Sequence, residues 1–228
     1  STGDWLKLAK QKILQCRKIK KTPILVGGTG LYFKALTEGL VNIPKIPINF
    51  RNKVRNLHKR IGQKKFFLKL QEIDPMIKDQ INSLDVQRSL RAYEIKSFTK
   101  KSMISWFKNT KSDYSHNDFF KICIDFPRKD LIERINKRSE NMIKLGAILE
   151  VKKFIKLRVP KNKSLSKAIG ISEIKQYLQK KIQTEQLIEK ISIKTRQYAK
   201  RQSTWARGHM KDWNKVNPAG LEKLLKKI

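Results

Sequence analysis

Acidic residues are scarce in this chain: 19 Asp and Glu stand against 53 Lys and Arg in 228 residues, which leaves a formal charge of +34. That balance excludes a near-neutral or acidic surface and calls for a polyanionic partner. Long apolar runs are missing too, since nowhere do eighteen apolar residues follow one another. The opening STGDWLKLAK lacks the basic-then-apolar order of a signal peptide, so a membrane span and export are disfavoured and a cytoplasmic protein is expected. Cysteine is limited to Cys16 and Cys123, with no CxxC and no Cys/His ligand spacing. Two such residues read as unpaired thiols in a reducing compartment, not as a disulfide frame or a zinc site. His58, His116 and His209 have no ligand-spaced companions, which leaves metal centres and Ser/His/Asp triads without support. Also absent are a GxxxxGK(S/T) loop, a Gly/Ser- or Pro-rich linker and an internal repeat. The 39% of apolar residues suffices for a real core, in one ordinary domain or two small ones.

Of the cations, 40 are lysines, and an AT-rich genome writes lysine, isoleucine and asparagine onto the solvated surfaces of any protein. The 13 arginines carry more information. A planar five-donor fork suits bidentate phosphate recognition, and drifting surface composition does not require it.

Periodicity predicts an amphipathic helix over residues 4–19, with Trp5, Leu8, Ile13 and Leu14 apolar among lysines. Pro23 to Val26 reads as a short buried strand, followed by the turn Gly27-Gly28-Thr29-Gly30 and a helix to Leu36, the order of a parallel α/β unit. Past Pro44 and Pro47 the pattern predicts helices near 49–60, 63–72 and 86–98, then a strand over Phe119 to Phe126. Helices near 128–146, 147–157 and 184–207 follow, with a basic loop around Pro160. A continuous apolar strand such as PILV normally lies inside a sheet covered on both faces, and only one other strand is evident. The sheet therefore looks incomplete: neighbouring strands come from upstream sequence or another polypeptide, or a minimal sheet is closed by helices.

Three stretches invite chemistry. The VGGTG turn lets backbone amides approach an anion ahead of a helix N-terminus, although tight turns use Gly pairs without binding anything. Thr29 adds a hydroxyl for a phosphate or a helix cap. Projected at about 100° per residue, Leu131, Ile135, Arg138 and Met142 fall within about 60° of one another, which places a guanidinium in an apolar stripe. An unpaired buried guanidinium costs several kcal/mol, so a core carboxylate or a phosphate-bearing ligand is expected beside Arg138. In KTRQYAKRQSTWARGH, Arg196, Lys200, Ser203 and Arg207 share one side, with Tyr198 and Trp205 roughly opposite. One face would grip a phosphate backbone and the other dock on the protein, unless the basic face is simply solvated. A shorter set has Asp85 as N-cap and puts Gln87, Arg88 and Arg91 away from Val86, Leu90 and Tyr93.

Four segments, PILVGGTGLYFKALTEGL (23–40), LQEIDPMIKDQINSLDVQRSLRAYEI (70–95), LIERINKRSENMIKLGAILEV (131–151) and TRQYAKRQSTWARG (195–208), together resemble the tRNA dimethylallyltransferase family, also called the IPP transferase family. The likeness spans nearly the whole chain but only the later part of the family, whose members begin with a P-loop and a segment holding the catalytic aspartate. The resemblance implies an α/β fold. Residues 1–45 and 115–228 would form the remainder of a catalytic core with an incomplete P-loop-type parallel sheet and C-terminal helices, and 46–114 a largely helical tRNA-binding insertion. It implies transfer of the dimethylallyl group of dimethylallyl diphosphate to N6 of the adenosine 3′-adjacent to the anticodon, with the adenine flipped into a channel. Mg²⁺ is implied, with its ligands outside this chain. Arg138 matches a diphosphate-contacting arginine and Thr29 the threonine near that site. Gly30, Asn52, the run Gln87, Arg88, Ser89, Leu90 and Arg91, and the loop residues Lys167 and Gly170 match tRNA-contacting positions. So do Arg196, Lys200, Arg201, Gln202, Trp205 and Arg207. Ile171 and Ser172 stand where the family has a Gly-Tyr-Arg type sequence, which removes an aromatic ring and a cation from one tRNA-contacting loop. With no P-loop or base of its own, the chain is expected to be a truncated or split enzyme, otherwise monomeric, whose partners are the tRNA anticodon stem-loop, dimethylallyl diphosphate and a separate N-terminal P-loop fragment. The alternatives are a non-catalytic tRNA-binding remnant and a basic nucleic-acid-binding protein.

Overall fold

The computed structural model describes residues 1–160 and 163–226. These residues are mostly helical, with one small parallel two-stranded sheet, an α/β fold in reduced form. Internal contacts gather the chain into two units: Ser1–Leu25 with Leu31–Phe119, and Val26–Gly30 with the residues from Phe120 onward.

In the first unit α1 (Thr2–Lys18) opens on a capping box, in which the Ser1 hydroxyl accepts from the Asp4 amide at 3.3 Å and the Asp4 carboxylate accepts from the Ser1 amino group at 3.0 Å. Its apolar side, Leu6 and Ile13, packs with Ala35 and Leu36 of α2 (Gly30–Thr37) and with Leu25, Tyr114 and Phe119. A second core in this unit forms between α3 (Ile48–Ile73), α4 (Val86–Thr99) and the short α5 (Met103–Lys108), from Phe67, Leu70, Ile77, Ile81, Ala92, Ile95 and Met103. Each fully buried aliphatic side chain here contributes about 1.5–3 kcal/mol. The helix α3 is broken at Gly62, whose φ of 74° and ψ of 166° are non-helical, between the two helices that the sequence pattern predicts there.

The second unit runs β1 (Ile122–Ile124), α6 (Arg128–Lys144), α7 (Ala147–Lys156), α8 (Ile171–Leu178), α9 (Thr184–His209), β2 (Asn214–Val216) and α10 (Pro218–Leu225). The strands pair in parallel, Ile122 with Asn214, Cys123 with Lys215 and Ile124 with Val216, and the intervening helices supply the crossover such a pair requires. Val151, Ile171, Ile174, Leu187 and Ile191 form the core between α7, α8 and α9.

Two expectations are corrected. Pro23 to Val26 forms neither strand nor ladder, with Ile24 82% and Val26 91% exposed. A short apolar run is compatible with a strand but becomes one only when a neighbour takes its hydrogen bonds. The partner of β1 is instead Asn-Lys-Val at 214–216, too short and polar to register as a strand. The short helices α5, α8 and α10 also escape periodicity, since one or two turns hold too few apolar positions. In the basic loop around Pro160, Lys161 and Asn162 lie outside the described residues.

Candidate functional site

On α6 the buried positions are Ile135 and Ser139, with Met142 half-buried. Arg138 is exposed, and no ion pair or hydrogen bond holds it among the described residues. The expected burial of its guanidinium is therefore corrected. The packed stripe is centred nearer Ser139, whose hydroxyl donates to the Ile135 carbonyl at 2.9 Å and so enters the core without cost. A hydrophobicity projection gives a serine no weight, and the stripe it draws is rotated toward Arg138. The guanidinium stands at the margin of that stripe, open to solvent. One turn further, the Met142 methyl lies 3.5 Å from where a Cβ on Gly170 would be, so the 167–170 loop abuts the helix that carries Arg138.

Gly170, buried at a φ of 103°, starts α8, and Glu173 closes the turn by accepting from its amide at 3.0 Å. Glu173 is itself buried and also accepts from the Ser172 hydroxyl at 2.6 Å and from the Lys194 ammonium. Burial pushes its carboxyl up, but the bonds from Lys194, Ser172 and the backbone amides outweigh this and hold it below the usual carboxylate range. Ser172 and Lys167 are exposed, and the Ser172 hydroxyl lies 3.2 Å from the Lys194 ammonium.

The glycine turn meets the far end of α9. The Gln202 amide donates to the Gly28 carbonyl at 2.8 Å, and a Cβ on Gly28 would collide with that amide. A Cβ on Gly30 would collide with the Trp205 indole. Two of the turn's glycines thus admit side chains one helical turn apart on α9. Trp205 stacks on His209, ring centroids 4.3 Å apart at 6°, and Nδ1 of His209 lies 3.0 Å from the Trp205 carbonyl. Thr29 is exposed, its hydroxyl without a hydrogen bond among the described residues.

Along α9 the division of faces differs from the projection. Arg196 is half-buried and donates to Asn136 of α6 at 3.4 Å, whereas Tyr198 is exposed with the Arg201 guanidinium 5.7 Å above its ring. Arg196 therefore belongs to the packed side and Tyr198 to the open one, because α6 covers α9 at Arg196 while the turn covers it at Gln202 and Trp205, on a different side of the helix. Lys200, Arg201 and Arg207 remain exposed, with Gln202 and Trp205 half-buried on the turn.

The first unit holds a second basic feature, a cleft of about 450 Å³ between the first half of α3 and α4. Of the residues matched to tRNA contacts it is lined by Gln87, Leu90 and Arg91, while Arg88 and Asn52 are exposed and Ser89 is buried. The Ser89 hydroxyl donates to the Asp85 carbonyl at 2.7 Å and accepts from Gln63 at 3.1 Å, a structural task. Arg51, Arg55, His58, Lys59 and Glu94 complete the lining and were not anticipated. Their signal was available: 51, 55 and 59 recur at i, i+4 and i+8, one cationic line along a helix. Buried Glu94 holds this group, with Arg51 Nε at 3.1 Å, Arg91 Nη1 at 3.5 Å and Arg55 Nε at 4.0 Å from its oxygens.

Among the described residues no three acidic, histidine or cysteine side chains are placed together to hold a metal ion. No described helix is long and apolar enough to cross a membrane.

The chain is 55% identical over 228 residues to a tRNA dimethylallyltransferase of Pelagibacter ubique, covering 100% of this chain and 73% of that protein. It is 40% identical over 213 residues to the Rickettsia massiliae tRNA dimethylallyltransferase, covering 93% of this chain and 59% of the relative. Among solved structures, the tRNA isopentenylpyrophosphate transferase of Bacillus halodurans superposes with a TM-score of 0.58 at 30% identity, over 95% of this chain and 67% of that one. A eukaryotic dimethylallyltransferase acting on tRNA shares the fold at a TM-score of 0.73 and 24% identity, over 90% and 52%. None of these findings supports a separately encoded P-loop fragment as a partner. The IPP transferase profile matches residues 1–209, and the chain belongs to that family.

Proposed function

We propose that this protein acts in tRNA dimethylallylation, joining the dimethylallyl group of dimethylallyl diphosphate to N6 of the adenosine 3′-adjacent to the anticodon. The observation that carries the reading is the 55% identity, across the whole chain, to a protein named for that activity. The adenine amine attacks C1 of the dimethylallyl group, the C1–O bond breaks with its electron pair leaving on the diphosphate, and N6 loses a proton. The leaving group gains negative charge, and an exposed guanidinium without a protein anion is suited to receive it. Arg138 meets both conditions, and the 167–170 loop abuts the same helix one turn on, at Met142, which would put diphosphate and RNA contacts on one helix. Thr29 would add a hydroxyl. The open cations of α9, Lys200, Arg201 and Arg207, and the α3–α4 cleft in the 46–114 insertion would hold the RNA backbone. When bound, Mg²⁺ would supply charge neutralisation to the diphosphate. The setting is the cytoplasm, where tRNA is modified.

Incubation with unmodified tRNA and labelled dimethylallyl diphosphate tests the reading. Label is expected in adenosine of tRNA and not in duplex DNA. Arg138→Ala should lower kcat/KM by about a hundredfold, the usual loss when one donor to developing charge is removed. Absence of transfer together with equal affinity for tRNA and duplex DNA would overturn the proposal in favour of a basic nucleic-acid-binding protein.

A further inference from the structure

The Glu94 cluster has more positive charge than its own neutralisation requires. A buried carboxylate, its side chain 3% exposed, is balanced by one guanidinium, yet three converge on it and each remains more than a third exposed. One negative charge against three positive leaves a surplus of two. Like charges at this spacing repel, and an anion sharing the site would relieve that repulsion. Arg51 and Arg55 both face Glu94 through Nε, which leaves their terminal nitrogens without a protein acceptor among the described residues. Those nitrogens belong to side chains that line the cleft, as does the Gln87 amide.

We propose that Arg51, Arg55 and Arg91 seat a backbone phosphate of bound RNA, and that Glu94 is a positioning residue that orients the three guanidiniums for it. Glu94 acts as an internal counter-ion: it holds the forks by one edge, in advance of binding, and leaves the other edge for phosphate oxygens. The proposal rests on the reading of tRNA as substrate.

The sign of one substitution separates positioning from simple charge. Glu94→Gln removes a negative charge at nearly constant shape, so a merely electrostatic surface would bind RNA more tightly. Positioning requires the opposite: weaker binding of an anticodon stem-loop by about tenfold, as when one charge-assisted contact is lost. Arg51→Lys keeps the charge but loses the fork, and it should weaken binding as much as Arg51→Ala. Because Glu94 is buried, Arg55→Ala serves as a variant of a more exposed residue that leaves the carboxylate its two nearer partners. It should reduce the slope of log affinity against log salt by about one unit, with thermal stability unchanged. Unchanged or tighter binding by Glu94→Gln, or an unchanged slope for Arg55→Ala, would overturn the seat. Inorganic diphosphate supplies the remaining arm: Arg55-dependent displacement of RNA at low millimolar concentration is expected, whereas Arg55-dependent diphosphate binding that leaves RNA affinity unchanged would mean that the cleft takes a free anion and the RNA assignment fails. Failure of the tRNA reading looks different, since slope changes would then persist for any RNA while prenyl transfer is absent.

Discussion

Glu173 shows how a single side chain can be read in two ways. In sequence it is an ordinary first-turn acid of a helix. In the structure it is buried, caps Gly170, and takes hydrogen bonds from Ser172 and Lys194 that hold its carboxyl below the usual range. Because the folded value lies below the unfolded one, its stabilisation is present above the ordinary carboxylate pKa of about 4.3 and is lost as pH falls through the depressed value. Thermal denaturation should therefore show Tm falling on acidification from pH 5 toward pH 3. Glu173→Gln should be less stable at pH 7 and flatten that dependence, whereas an identical profile would show that the carboxylate contributes nothing. Arg138 teaches the complementary lesson: residue type was legible, burial was not, because Ser139 shares the packed face without registering as apolar.

At the scale of elements, the amphipathic helices α1, α3, α4, α6, α7 and α9 were legible, and so was the break between 60 and 63, because a glycine there interrupts an otherwise regular pattern. Gly62 adopts a φ of 74°, and no heavy atom lies within 4 Å of where its Cβ would be. Its requirement is conformational, not steric. Gly62→Ala should therefore destabilise by about 1–3 kcal/mol, the cost of a non-glycine residue in such a region, seen as a lower urea midpoint at unchanged slope. Gly30 is the opposite case: its constraint is the Trp205 ring, so the strain of Gly30→Ala should be relieved by Trp205→Ala, and a double-mutant cycle on stability would measure a coupling of about 0.5–3 kcal/mol. What the elements hid was β2, three residues long, and the unpaired state of Pro23 to Val26.

At the scale of the whole molecule, +34 on 228 residues means that folding brings like charges together. Screening relieves this repulsion, so raising salt from 50 to 300 mM, well inside the range where the Debye length shrinks, should raise Tm by a few degrees. A falling Tm in the same scan would show that ion pairs such as those of Glu94 outweigh the repulsion. The sequence by itself determined the excess of positive charge, the helical character and the family likeness, since charge balance, periodicity and motif spacing are properties of order along a chain. Only the tertiary structure decided which cations are free and which are spent on carboxylates, why the turn needs its glycines, and that three arginines from two helices meet at one buried acid. Those facts depend on which residues come within a few ångströms across 40 or more positions of sequence, as Arg51 and Glu94 do, and distance in space is what a linear pattern does not encode.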